Sequence, residues 1–135
     1  MKTMTKAFTK IVGSAAALLV CGALHAQTNT GTGILTFGNG TNTGTNNTAT
    51  GYLSMYFNTS GVQNTATGDA TLNSNTTGSF NTATGVTSLF SNTTGTYNTA
   101  TGFSALYSNT TGTELTATGY AALLNNTTGD RKSVV

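Results

Sequence analysis

From Asn47 onward, small, apolar and polar side chains return in the same order every 17 residues. Five units, 47–63, 64–80, 81–97, 98–114 and 115–131, each follow N-T-A-T-G-aromatic-x-small-L-aromatic-S-N-T-T-G-x-x. One apolar row is Met55, Leu72, Leu89, Leu106 and Leu123; another is Ala49, Ala66, Ala83, Ala100 and Ala117. A rougher row holds Tyr56, Asn73, Phe90, Tyr107 and Leu124, with Tyr52, Val86, Phe103 and Tyr120 four places earlier in their units. Residues 33–46, with Ile34, Leu35, Phe37 and an Asn39-Gly40 turn signal ahead of Gly44, read as a degenerate earlier unit. A unit this short cannot bury its apolar face alone, so a strict period predicts a solenoid in which each coil packs on copies of itself. The rows then serve core and subunit packing.

Two glycine rows, Gly51 to Gly119 and Gly61 to Gly129, predict two turns per coil, each needing positive φ or close backbone approach. Threonines and aromatics favour extended strands between them. The chain has no proline, so its backbone N–H groups are free to join a ladder between coils. The predicted fold is therefore all-β, a parallel β-solenoid of five 17-residue coils plus one degenerate coil. One alternative stays open: Tyr52, Met55 and Tyr56, like Phe103, Leu106 and Tyr107, sit at i, i+3, i+4, which suits a short helical turn capped by Thr50 or Thr101. Asn58, Asn75, Asn92, Asn109 and Asn126 form one polar row and Asn47, Asn64, Asn81 and Asn98 another. Stacked asparagines can hydrogen-bond along a solenoid axis, with Leu115 interrupting the second row. Ser104 occupies a variable column and is expected to tolerate substitution.

The two ends depart from the repeat. Residues 1–26 read as a secretory signal peptide, with Lys2, Lys6 and Lys10 in front, an apolar run from Ile11 to Leu24 and Ala26 at the exit, so the mature chain is expected to begin at Gln27. Leu18-Leu19-Val20-Cys21 offers a competing lipoprotein site, although Val20 is bulky where a small residue is wanted. Residues 27–46 are lead-in and degenerate repeat, and 47–129 the regular array. Residues 130–135, Asp-Arg-Lys-Ser-Val-Val, match one reading frame of a common sequencing adapter and read as a non-native tail, with the natural gene expected to continue.

Charge and chemistry narrow the function. Cys21 and His25, the single cysteine and histidine, both fall in the leader. Between Gln27 and Gly129 only Asp69 and Glu114 are charged, and they are far apart in sequence and in different unit positions. Such a body lacks the clustered Lys and Arg that bind nucleic acid, and no membrane insertion is expected of the mature chain. Nucleophilic and acid–base sites need His, Cys, Lys or paired carboxylates, so no catalytic, cofactor-binding or metal-binding residue is assigned and no enzyme is expected. The Asn-x-Thr and Asn-x-Ser sequons, Asn58 and Asn75 among them, follow trivially from a repeated N-T-T and are not read as glycosylation sites.

The order Asn98-Thr99-Ala100-Thr101-Gly102, then Ala105, then Gly112 resembles the shorter coil of YadA-like heads in trimeric autotransporter adhesins, with about three residues inserted between Ala105 and Gly112. The units are also similar to those of secreted tail-fibre-like proteins that end in an endosialidase-type chaperone domain. The resemblance covers residues 33–129. It implies a left-handed parallel β-roll, a homotrimer and a role in attachment at the cell surface or outside the cell, with the surface ligand unspecified.

Two rivals come from other classes. Thr48-Ala49-Thr50 recurs in every unit, and on a strand its two threonines point the same way. Facing outward, they would make two parallel threonine rows of the kind that build a flat ice-binding face. Facing the interior or a seam between chains, they would make polar ladders, which is the expected arrangement. The second rival is an unstructured low-complexity stalk, against which stands the strict register of the apolar residues.

Overall fold

The computed structural model describes residues 29–33, 36–38 and 42–135. They form a parallel β-solenoid of about six coils. Seven short strands, β1 (Thr30–Thr32), β2 (Thr48–Thr50), β3 (Thr65–Thr67), β4 (Thr82–Thr84), β5 (Thr99–Thr101), β6 (Thr116–Thr118) and β7 (Ser133–Val134), line up in chain order in one sheet. Neighbours pair in parallel without slippage from β2 to β6: Thr65 opposes Thr82, Ala66 opposes Ala83 and Thr67 opposes Thr84, and so on up the stack. Each T-A-T strand alternates exposed, buried, exposed, as a pleated strand with one wet face must. Ala is small enough to fit inside, where it shares the apolar cluster with the Met55, Leu72, Leu89 and Leu106 row. Both rows are buried.

Beyond each strand the chain runs through a series of turns with no helix among the described residues. This settles the helical-turn alternative: Met55 is buried, Tyr52 exposed and Tyr56 half-buried, so the three share no face. The backbone reason is visible in φ, which is left-handed at two residues per run, such as Leu53 and Met55, Ala70 and Leu72, or Thr87 and Leu89. An α-turn would close its hydrogen bonds within itself, whereas here they leave the coil in both directions. Leu72 N donates to Ser88 O at 3.0 Å, while Ala70 N donates backwards to Tyr52 O at 2.8 Å. Left-handed backbone costs an ordinary residue about 1–2 kcal/mol, so the inter-coil bonds outweigh local preference. The row of large side chains is thereby aimed inward without a helix.

The asparagine rows are two buried ladders. In the first, Asn75 Nδ2 donates to Asn58 Oδ1, Asn92 to Asn75 and Asn109 to Asn92, at 2.8–2.9 Å. In the second, the Oδ1 of Asn47, Asn64 and Asn81 accepts from the backbone N–H one coil later, at 2.9–3.0 Å. Leu115 ends that ladder by keeping only the backbone half, its N–H donating to Asn98 Oδ1 at 3.1 Å. The two glycine rows have the two predicted reasons. Gly85 has φ +122°, and Gly95 lies so near Gly112 O, at 2.5 Å from where a Cβ would sit, that only a bare backbone fits.

The degenerate coil begins earlier than 33–46. Asn29-Thr30-Gly31-Thr32-Gly33 is its N-T-x-T-G, with Thr30 opposite Thr48, a spacing one residue longer than in later coils. Asn29 Oδ1 takes the ladder position below Asn47, accepting its N–H at 2.8 Å. Phe37 packs against the core, while Ile34, Leu35 and the Asn39-Gly40 pair, like the leader 1–26, lie outside the described residues. Ser104 is also a correction: it is buried, and its hydroxyl shares a 2.9 Å hydrogen bond with that of Thr87, so its column varies in identity but not in environment. The tail residues 130–135 continue the stack, Lys132 O accepting from Thr116 N at 2.8 Å and β7 pairing with β6. Backbone ladders require no particular side chain, so this placement follows from the coil beneath. The register of buried rows makes 42–129 a folded array, not an unstructured stalk.

Candidate threonine face

The sheet carries the most regular exposed chemistry of the molecule. Thr48, Thr65, Thr82, Thr99 and Thr116 form one outward row, and Thr50, Thr67, Thr84, Thr101 and Thr118 the other, with Ala between them pointing inward. This reverses the expected interior placement. The parity of the strand decides it. Asn81 and Ala83 share one parity and both are buried, so Thr82 and Thr84 have to point out.

The hydroxyls of these rows differ from those elsewhere in the coil. In the corner after the turn run, Thr59, Thr76 and Thr93 donate their hydroxyls to the carbonyls of Thr76, Thr93 and Thr110 one coil on, at 2.8–3.0 Å. On the sheet, among the described residues, the hydroxyls of Thr65, Thr67, Thr82, Thr84, Thr99 and Thr101 make no hydrogen bond within the protein. Among the described strand threonines, hydroxyl meets hydroxyl at the irregular first coil, Thr32 to Thr50 at 3.1 Å. The corner threonines bind coil to coil; the strand threonines are left to whatever lies outside.

Aromatic ladders border the sheet in sequence on both sides. Phe80 and Tyr97, two residues before their strands, stack at 4.8 Å with planes 2° apart. Phe103 and Tyr120, two residues after theirs and beyond the glycine bend, stack at 5.4 Å. Phe90 and Tyr107 stack at 5.1 Å further along the turn run. The rings of Phe80, Tyr97, Phe103 and Tyr120 are substantially exposed, up to 81% at Tyr120, so the Phe103 and Tyr120 row lies outside the core of its own chain. Sequence reading passed over the Phe80 and Tyr97 column because its other members, Gln63, Glu114 and Arg131, are polar.

Asp69 and Glu114 are both exposed and stand in different columns, Asp69 after Gly68 and Glu114 against Arg131, with 2.8 Å between Nε and Oε2. That hydrogen bond, with the carboxylate charge behind it, raises the pKa of Arg131 further above its ordinary range. Among the described residues, no three His, Cys, Asp or Glu side chains gather where they could hold a metal ion, and no helix is long and apolar enough to cross a membrane. The chemistry at hand is thus hydroxyl, methyl and aromatic, uncharged and repeated. Comparison with family models, with curated proteins and with solved structures found no match.

Proposed function

We propose that this chain is a non-catalytic structural and adhesive module, exported and displayed as a homotrimer at a cell surface or on a fibre. The observation that carries the reading is the uncharged outward threonine face, whose unused hydroxyls recur at every coil. One such site binds weakly, but a rigid row of identical sites engages a surface many times at once, and avidity multiplies the weak contacts. The trimer accounts for the aromatic rows on the turn run. Contiguous exposed apolar surface of this kind marks an interface. Packing the Phe103 and Tyr120 row and the Phe90 and Tyr107 row against neighbouring chains removes the rings from water and leaves the threonine face free.

Two measurements test the reading. Sedimentation equilibrium of the full chain is expected to return three chains per particle, with Phe103→Asp shifting it toward monomer; a folded wild-type monomer overturns the trimer. Solid-phase binding to immobilised glycans, collagen and bare silica is expected to detect attachment that Thr84→Lys reduces. Retention no greater than that of an inert control protein on every surface overturns the adhesive role.

A further inference from the structure

Resting on that outward face, the geometry points to crystalline water as its ligand: the two threonine rows are an ice-binding plane. Ice is a lattice of hydrogen-bond donors and acceptors with no charge, repeated in two dimensions. A protein surface that adheres to it has to be flat, uncharged, repeated along two axes, and free to hydrogen-bond outward. The absence of charge, the repeat and the unengaged hydroxyls are visible in the two rows, and the ladders beside the sheet restrain its twist.

The repeat along the solenoid axis is the strand spacing, about 4.8 Å, and the two threonines of one strand lie about 6.6 Å apart. In tetrahedral water with O···O near 2.75 Å, second-neighbour oxygens lie about 4.5 Å apart. A threonine row centred on such a lattice therefore drifts by only about 0.6 Å from its middle to its end over five coils, within the tolerance of a hydrogen bond. Flatness requires a restraint on twist. Sheets ordinarily twist, and those that do not are held by stacking and side-chain ladders. Here two buried asparagine ladders run along the stack beside the sheet, one of them ending at Leu115. The hydroxyls of Thr67, Thr84 and Thr101 are unengaged and their methyls lie beside them, so each site can anchor one water and exclude another. Asp69 and Glu114 both lie outside the two rows.

The same architecture argues against the aromatic ladders as the recognition element for flat ligands such as sugars. Phe80 and Tyr97 lie face to face with planes 2° apart, and so do Phe103 and Tyr120 at 9°, so one face of each ring is covered by its neighbour and closed to a flat ligand. The threonine plane is the part of the surface that remains open in two dimensions.

The experiment is partition of the full chain into a slowly growing ice front, with ice recrystallisation scored on the same samples. Wild type is expected to enter the ice, and Thr84→Lys, which sets a long charged side chain in the middle of the plane, is expected to be excluded like a non-binding control protein. Thr94→Lys, in the 92–95 corner, is expected to enter as wild type does. Far-UV circular dichroism of T84K checks that the coils are intact, and Thr84→Val, which keeps shape and loses the hydroxyl, gives a second reading of the same site. Wild type excluded from ice, or T84K and T94K behaving alike while both are folded, overturns the inference. Wild type excluded from ice but retained on glycan, collagen or silica in a T84K-sensitive way overturns the ice ligand alone and leaves the adhesive role standing; failure on ice and on all three surfaces overturns both.

Discussion

Replacing Asn92 by Ala in the middle of the first asparagine ladder tests what holds one coil to the next. Asn92 Nδ2 donates to Asn75 Oδ1 at 2.8 Å and to Gly95 O at 3.0 Å, and its Oδ1 accepts from Asn109 Nδ2 at 2.9 Å. Gly95 O retains Asn81 Nδ2 at 2.9 Å, and Asn109 Nδ2 retains Gly112 O at 3.1 Å. What the substitution strands is Asn75 Oδ1, whose single protein donor was Asn92, and one N–H of Asn109, both fully buried. Leaving a buried polar group unsatisfied costs about 1–3 kcal/mol, so the two together put Asn92→Ala at about 2–6 kcal/mol. Asn126→Ala, at the half-buried end of the same ladder where water can replace the lost partner, is expected to cost under about 1 kcal/mol. The decisive variant is the double one. Asn75→Ala alone strands Asn58 Oδ1 and one N–H of Asn92, but in Asn75→Ala/Asn92→Ala the groups stranded between the two positions are themselves gone. The double variant is then spared two stranded groups and should be less destabilised than the sum of the singles by about 2–3 kcal/mol, where their cost meets the usual coupling between contacting residues. Urea unfolding followed by far-UV circular dichroism on all four proteins measures this. Strict additivity would refute the ladder as the source of the energy.

Three further outcomes are expected. Leu106→Asp places an unpaired carboxylate in the buried row and should cost several kcal/mol, enough to melt its coil, while Thr94→Asp at the exposed corner should leave the melting temperature nearly unchanged. Gly85→Ala combines φ +122° with a Cβ 2.5 Å from Gly102 O, so strain alone costs about 1–3 kcal/mol and the backbone contact adds to it; thermal unfolding should fall clearly below wild type. Gln63 has φ 55° in a column where the first coil carries Asn46 at φ 59°, and Asn tolerates that region, so Gln63→Asn should raise stability by up to about 1 kcal/mol; no gain in urea midpoint would show that the strain is relieved elsewhere.

The solenoid was legible in the sequence because a strict period is itself a tertiary statement: residues 17 apart touch, whatever the coil's shape. The buried Leu and Ala rows, both asparagine ladders, the two kinds of glycine and the break at Leu115 all follow from that single fact. The local path of the coil did not, since i, i+3, i+4 spacing fits a helical turn as well as a run of left-handed turns. Only the neighbouring coils, by accepting the N–H groups of Leu72 and Leu89, decide between them. The first coil's true start was hidden by one extra residue and by Gly31 in place of Ala, although N-T-x-T-G was there to be found from Asn29. The direction of the threonines was half legible. An inward asparagine row and the two-residue alternation of a strand fix Ala inward, but the inward asparagines had first to be established by stacking. That the strand hydroxyls are unengaged while those of Thr59, Thr76 and Thr93 are consumed between coils is decided by tertiary structure alone, because the same Thr side chain serves either role depending on whether a carbonyl of the next coil lies within its reach.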